Sequence, residues 1–298
     1  FDSSIVQLRR AAEDHEVLPS MVAQVTMKVF ELIDDPIKWE QANSLATHWL
    51  AIYPDEPRFL AIQGDLYVSA SKLEEGQKYY LRAARMGEPK YEVWARIIQL
   101  DFELNAVDSA ATHAAEALKA FPKQGFLNFQ LGFARYLQGD NADALRYLEI
   151  ARGIIKPTDN WNVQLFSMLG DVYHAVGRPK DSDVAFEKVL ALNPTDEHVL
   201  NNYSYYLSLR KERLEKAAMM SKQLVEKFPT ESTYLDTYAW VLYQQGKYEE
   251  AFRYLSLALA DEKSQSSAVW EHHGDALFRL GRIKEAVESW KKAIALPN

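Results

Sequence analysis

The most informative stretch of the sequence is SSAVWEHHGDALFRLGRIKEAVESWKKAIA, which covers residues 266–295. Trp270 and Gly274 lie in its first half, Gly281 stands near the middle, and Trp290 lies in its second half. Large apolar residues at spacings of three and four predict an amphipathic helix on each side of Gly281. A glycine halfway along the first helix allows the second helix to cross it closely. The stretch therefore predicts a hairpin of two helices.

The same pattern recurs along the chain with a period of about 34 residues. Prolines separated by 35, 33, 35, 37 and 35 residues end successive units, because proline cannot continue a helix. These prolines are Pro54, Pro89, Pro122, Pro157, Pro194 and Pro229. Small residues begin the second helix of each unit at Ala42, Gly76, Ala110, Ala144, Ser182, Ala217, Ala251 and Ala286. One hairpin cannot bury its apolar face alone, so these units in phase predict a stack of hairpins.

This order of a Trp-x-x-x-Gly pair, then Ala, an aromatic residue, Ala and Pro, resembles the tetratricopeptide repeat (TPR). The resemblance implies an all-α fold, a right-handed superhelical solenoid of about eight helix-turn-helix hairpins. We expect an N-terminal helical extension at residues 1–20, with a helix from Ser3 to Glu16, and a solenoid at residues 21–298. The expected repeats lie near residues 21–56, 57–90, 91–124, 125–160, 161–196, 197–231, 232–265 and 266–298. The first of them lacks the glycine in mid-helix.

A narrower resemblance covers roughly the last hundred residues. The runs NNYSYYLS at 201–208 and YLDTYAW at 234–240 look like a module of TPR proteins of Bacteroidota, many of them lipoproteins that face the periplasm. The resemblance implies a periplasmic protein that is lipid-anchored to the outer membrane through a cysteine preceding Phe1. A cytoplasmic location is the alternative.

Composition and motifs argue against several functions. The net charge of -8, without a dense cluster of Lys and Arg, argues against binding to nucleic acid. No apolar run approaches the roughly 20 residues of a transmembrane helix. The sequence has no cysteine, no glycine-rich phosphate loop and no catalytic serine or zinc-protease motif. His272 and His273 point about 100 degrees apart on a helix, so they do not share a metal ion. We expect no catalysis, no cofactor and no metal site.

The site prediction starts from the resemblance, which implies that first helices line a concave ligand-binding surface. Helical phase then separates the residues of the helix seam from those that face this groove. The predicted groove residues are Phe126, Phe133, Gln164, Asp171, His174, His198, Asn201, Tyr205, Asp236, Trp240, Tyr243, Glu271, Asp275 and Phe278. We interpret His174 and His198 as solvated groove residues rather than as a zinc or pH-sensing site. Phe129 and Tyr136 share this phase, but Asn128 and Arg135 on the seam side indicate a rotated helix that buries them.

Such a lining of aromatic rings and carboxylates favours a basic or aromatic segment of a protein or peptide. The sequence therefore predicts a non-catalytic binding scaffold, which the bacterial resemblance places in envelope assembly. Two alternatives remain open. One is a self-associating structural protein, because a stripe of Leu277, Leu280, Val287 and Ile294 at the last hairpin is expected to be partly exposed. The other is a regulatory domain of a larger protein.

Overall fold

The computed structural model describes residues 1–13, 17–86, 90–156, 158–260 and 266–296. Within these residues the chain forms 17 α-helices and no β-strand, so the all-α helical-repeat fold is confirmed. Residues 14–16 of the predicted first helix, Pro89, Pro157 and Asn298 lie outside the described residues. The helices are α1 (Asp2–Glu13), α2 (Pro19–Phe30), α3 (Pro36–Ile52), α4 (Pro57–Ser69), α5 (Leu73–Arg85), α6 (Tyr91–Glu103), α7 (Val107–Ala120), α8 (Gly125–Leu137), α9 (Asn141–Ile154), α10 (Asn162–Ala175), α11 (Pro179–Leu192), α12 (Glu197–Arg210), α13 (Leu214–Lys227), α14 (Ser232–Gln244), α15 (Tyr248–Ala258), α16 (Ser267–Arg279) and α17 (Ile283–Ala295).

The chain divides into two compact units, Phe1–Lys156 (unit 1) and Pro157–Asn298 (unit 2). Within each unit consecutive helices pack as hairpins, namely α4 with α5, α6 with α7 and α8 with α9 in unit 1, and α10 with α11, α12 with α13, α14 with α15 and α16 with α17 in unit 2. In unit 2 each first helix also contacts the first helix of the next hairpin. The division into repeats at the residues given above stays a prediction.

Glycines at two kinds of position make these hairpins possible. Gly177 and Gly281 lie in the turns with φ of 74° and 77°, a backbone conformation that costs glycine little. Gly170 lies in mid-helix, where an added Cβ would stand 2.2 Å from a ring carbon of the buried Phe186. Gly274 meets Trp290 in the same way at 2.5 Å. Close crossing of the two helices thus depends on the missing side chain.

The N-terminal part of unit 1 is built differently from these hairpins. Helix α1 packs on both α2 and α3, and its Ile5 and Leu8 join a core that includes Trp49 and Phe59. Asp35 caps α3 by accepting a hydrogen bond from the backbone N–H of Lys38 at 2.8 Å. Helices α2 and α3 both pack on α4 as well. The first two helices of the expected solenoid are therefore held largely through α1 and α4.

One expectation about the last hairpin is wrong in part. Leu277 is 1% exposed, so this residue of α16 is buried and does not belong to an exposed stripe. Leu280 is half-buried, whereas Val287 is exposed and Ile294 is 85% exposed. The exposed apolar stripe is therefore carried by α17. Among the helices of the described residues, none is both long and apolar enough to cross a lipid bilayer.

Candidate functional site

Four first helices of unit 2, α10, α12, α14 and α16, pack side by side in chain order. We call the face that they form the first-helix surface. Twelve of the predicted groove residues lie on these four helices. Phe126 and Phe133 lie on α8 and belong to unit 1. Phe133 packs on Phe102 of α6 with ring centroids 5.0 Å apart, and the centroid of Phe126 lies 6.3 Å from that of the buried Phe129.

Asp171 of α10 does not face an open groove, contrary to the prediction. Its side chain is only 2% exposed and is surrounded by hydrogen-bond donors of α12. His198 lies with Nε2 2.6 Å from one carboxylate oxygen, and the other oxygen accepts from Asn202 Nδ2 at 2.9 Å and Tyr206 Oη at 3.1 Å. The physical reason is the packing of α10 on α12, which covers this position. Asp171 therefore joins two hairpins through a satisfied buried carboxylate.

The two histidines of this region have opposite electrostatic environments. The hydrogen bond to Asp171 raises the pKa of His198 above its ordinary value, while His198 stays more than half exposed. His174 stacks on the ring of Tyr206 with centroids 3.5 Å apart. Burial, and then the charge of Arg210, lower the pKa of His174. His198 is thus a solvent-exposed cation-forming group, whereas His174 is an aromatic packing residue.

Trp240 of α14 is the centre of a three-ring stack. Its ring lies 4.7 Å from Tyr243 at an interplanar angle of 5° and 4.0 Å from His272 at 17°. His272 donates its Nδ1–H to Asp236 Oδ1 at 2.8 Å, which fixes the orientation of the imidazole. The stack connects α14 to α16 and leaves Trp240 and Tyr243 half-buried. These rings are therefore rigidly placed and still reachable from solvent.

Tyr205 of α12 lies beside the carboxylates of the two following first helices. Burial raises the pKa of its hydroxyl, and the negative charges of Asp236 and Glu271 raise this pKa further. Asn201, one turn earlier, is almost buried and donates to Asn202 Oδ1 at 3.1 Å, so the prediction that it faces the groove is wrong. Of the predicted groove residues of α12, solvent therefore reaches His198 and Tyr205.

The last first helix, α16, contributes both carboxylates and an exposed ring. Asp275 accepts a hydrogen bond from Trp290 Nε1 at 3.1 Å, and burial raises the pKa of this carboxyl group. Glu271 and Phe278 are exposed. Glu271 and Asp275 line a cavity of about 640 Å³ that Ile294 also borders. At the other end of the surface, Gln164 of α10 is exposed.

Sequence reasoning missed three residues that organise this surface, Asn202, Tyr206 and His272. Asn202 and Tyr206 follow His198 at steps of four residues, so the three form one stripe of α12 that faces α10. That spacing was a signal in the sequence. For His272 the sequence contains no such signal, because its partners Asp236 and Trp240 lie more than thirty residues away. Among the described residues, no group of three or more His, Cys, Asp or Glu side chains is placed to hold a metal ion.

Comparison with known protein families agrees with this architecture. Two family profiles described as Tetratricopeptide repeat match residues 63–125 and 163–196. A profile described as Anaphase-promoting complex, cyclosome, subunit 3 matches residues 210–293. A TPR repeat-containing protein of Methanocaldococcus jannaschii is 22% identical over 78% of this chain, and the match spans about half of that relative, 49%. The chain is a tetratricopeptide-repeat protein.

Solved structures show the same fold at low sequence identity. A tetratricopeptide repeat protein from Parabacteroides merdae has a TM-score of 0.61 at 12% identity, covering 81% of this chain and 93% of that one. PilW, a type IV pilus biogenesis factor, has a TM-score of 0.59 at 16% identity, covering 74% and 98%. YrrB, a TPR protein with an unusual peptide-binding site, has a TM-score of 0.51 at 16% identity, covering 61% and 88%. At these identities the likeness shows the fold alone.

Proposed function

We propose that this protein is a non-catalytic scaffold that binds a protein or peptide segment on the first-helix surface of unit 2. The observation that carries the proposal is the stack of Trp240 on Tyr243 and His272, with the carboxylates of Asp236 and Glu271 around Tyr205. Prearranged rings offer contact area with little loss of side-chain entropy on binding. Neighbouring carboxylates favour Lys or Arg in the ligand. The preferred ligand is therefore a basic segment that contains an aromatic or aliphatic side chain.

The place of this scaffold in the cell is part of the same proposal. We infer a role in assembly of the bacterial envelope, with the protein in the periplasm and lipid-anchored to the outer membrane; a cytoplasmic protein is the alternative. The resemblance of residues 201–208 and 234–240 to envelope TPR proteins supports the periplasmic location. The shared fold of a pilus biogenesis factor is compatible with it. Fractionation of the native host and labelling of the lipid anchor test the location directly.

The double variant Trp240→Ala/Tyr243→Ala tests the binding surface. Because it removes two stacked rings from the proposed contact, we expect capture of the ligand from native lysate to fall at least about tenfold, which corresponds to roughly 1.4 kcal/mol. Quantitative mass spectrometry of the captured proteins is the measurement. Binding should also weaken as salt rises, since carboxylates contribute to it.

Leu257→Ala is the matched control for this experiment. Leu257 is an exposed apolar residue of α15, the second helix of the same hairpin, and lies outside the first-helix surface. This variant should capture the ligand as the wild type does. Equal capture by the wild type and by the double variant, with both folded by circular dichroism, would show that the ligand binds elsewhere.

Self-association is a second candidate function, supported by the exposed stripe on α17. Ile294 is 85% exposed, and Ile283 and Val287 lie on exposed positions of the same helix. Under this alternative, changing Ile294 to lysine places a charge in the contact and converts an oligomer into a monomer. Sedimentation equilibrium over a dilution series measures this. A wild-type chain that is monomeric at the highest concentration contradicts self-association.

A further inference from the structure

Unit 1 contains a cleft of about 810 Å³ among α2, α3 and α4. Its apolar wall is formed by Phe30, Ile33, Trp39 and Leu66. Trp39 is held in place because its Nε1–H donates to the carbonyl oxygen of Leu66 at 2.9 Å. A cavity of this size accommodates a small ligand or several side chains of a peptide. The cleft is therefore a preformed concave site and is distinct from the first-helix surface of unit 2.

Apolar side chains are also exposed next to this cleft. Met27 lines it and is exposed, and Leu32 stands between two lining residues in the turn that follows α2. Ile37, in the first turn of α3, is 72% exposed. Neighbouring exposed apolar residues on a folded domain mark an interaction site more often than isolated ones do. The region is thus suited to a ligand with an apolar side chain.

The charge of the lining sets the second property of the ligand. Five carboxyl groups line the cleft, and Lys72 is the one basic residue among the lining residues that the structure describes. They belong to Glu31, Asp34, Asp35, Glu40 and Asp65. Lys38 pairs with Asp34, but Glu31 and Glu40 form no ion pair with any described residue. The cleft therefore carries an excess of negative charge.

Two further contacts show how this charge would act on a ligand. Lys72 places its ammonium group 5.1 Å from the ring centroid of Trp39, so the aromatic wall already holds a cation. Asp65 accepts a hydrogen bond from the hydroxyl of Tyr80, and burial raises the pKa of its carboxyl group. A cation brought in by a ligand would stabilise the ionised form of Asp65. Charge complementarity thus favours a basic ligand.

We propose that this cleft is a second binding site, for a peptide segment in which a large apolar side chain is flanked by Lys or Arg. The apolar side chain lies against Trp39 and Leu66, and the basic side chains lie at Glu31 and Glu40. The two sites would allow one chain to hold two segments at once, which is how a scaffold gains avidity.

Fluorescence anisotropy with labelled octapeptides tests the proposal on the full chain. The probe carries Lys-Phe-Lys between Gly-Ser flanks, and two matched peptides carry Glu-Phe-Glu and Lys-Gly-Lys. We expect saturable binding of the Lys-Phe-Lys peptide and at least about tenfold weaker binding of both others. The charge-reversed variant Glu31→Lys/Glu40→Lys is made in the Trp240→Ala/Tyr243→Ala background, because the probe also suits the surface proposed for unit 2. In that background it should weaken binding of the probe about tenfold, since it removes the attraction and adds repulsion.

Two control variants distinguish binding in the cleft from binding elsewhere on the chain. Asp55→Lys reverses an exposed carboxylate in the loop after α3, at the end of that helix far from the cleft, and should change the affinity less than about twofold. Trp240→Ala/Tyr243→Ala leaves unit 1 intact and should also retain the probe, whatever the fate of the function proposed for unit 2. The proposal is overturned by no saturable binding below about 1 mM, by equal losses in Asp55→Lys and the cleft variant, or by loss of the probe in the unit 2 variant.

Discussion

Replacing Gly170 with alanine will lower the free energy of unfolding by about 3 kcal/mol, at the upper end of the cost of overpacking a core. The new Cβ would stand 2.2 Å from Phe186 Cε1, far inside van der Waals contact. Phe186 cannot move aside, because it is fully buried and packs against the rings of Tyr203 and Tyr206. Helix α10 must therefore shift away from α11. Thermal unfolding followed by circular dichroism should show a midpoint lower by about 6–12 °C.

Gly153→Ala is the control for this prediction. Gly153 lies near the end of α9, is exposed, and has no neighbouring atom within 4 Å of an added Cβ. Alanine there should leave stability unchanged or raise it by up to about 1 kcal/mol through helix propensity. A Gly170→Ala protein that unfolds at the wild-type temperature would contradict the role assigned to the close crossing of the two helices.

Gly170→Ala should also disturb the contacts on the first-helix surface. Phe186 packs on Tyr206, and Tyr206 both stacks on His174 and donates to Asp171. A shift at Gly170 thus displaces the contacts that join α10 to α12. Gly170, which permits the close crossing of α10 and α11, thus also affects how α12 of the next hairpin packs.

The fold could be predicted from the sequence because the information for it is local and repeated. Gly170 and Phe186 are sixteen residues apart, as are Gly274 and Trp290, and both pairs place a large ring over a missing side chain. In both hairpins, the residues that set how the two helices cross therefore lie within the hairpin itself. Repetition then makes a stack the favourable way to bury the apolar faces that a single hairpin leaves open.

The candidate site could be predicted only in part, because its contacts join different hairpins. Helical phase grouped Trp240, Tyr243 and Asp236 on one first helix, but it treated each first helix as having one seam and one open face. In the structure α10 packs on α11 and also on α12. Asp171 lies on the side covered by α12, so it is buried despite the predicted phase. Its pairing with His198 depends on how neighbouring hairpins are rotated, which a single sequence does not record.

The first expected repeat, which lacks the mid-helix glycine, packs differently from the later hairpins. Its helices α2 and α3 are held through α1 and α4, and the cleft beside Trp39 lies among α2, α3 and α4. A departure from the repeat pattern thus coincides with a feature that could bind a ligand. A departure from the repeat pattern can therefore mark a functional site and not only a degenerate repeat.

Acidification is expected to destabilise the chain through His273, by at most about 3 kcal/mol between pH 6.5 and about 4. Burial, followed by the positive charges of Arg282 and Lys292, lowers the pKa of His273 from 6.5 to about 4. The ring lies among Phe252, Trp270 and Ser289. The unfolded chain therefore takes up a proton at a pH where the folded chain does not. The stability due to the neutral ring is present above pH 6.5 and is lost as the pH falls towards 4.

The hydrogen bonds around His273 explain why the neutral ring fits. Ser289 donates its hydroxyl proton to the carbonyl oxygen of Glu285, so Nδ1 of His273 donates to Ser289 Oγ at 3.0 Å. Ser256 likewise donates to the carbonyl oxygen of Phe252 and lies 3.4 Å from Nε2. Protonation of Nε2 would thus add a charge beside Arg282 with only a long contact to receive the new proton.

His273→Gln is the variant that isolates this effect. Glutamine keeps a hydrogen-bonding group at the site and cannot gain a proton, so the variant should lose less stability than the wild type as the pH falls. Urea unfolding of both proteins at several pH values from 6.5 down to about 4 measures the difference, and carboxylates that titrate in both proteins cancel from it. Parallel pH profiles would mean that His273 is protonated in the folded chain as readily as in the unfolded one. In that case the packing of α15 on α16 would have to admit water at Nε2, because the hydroxyl of Ser256 on α15 lies 3.4 Å away and already donates to Phe252.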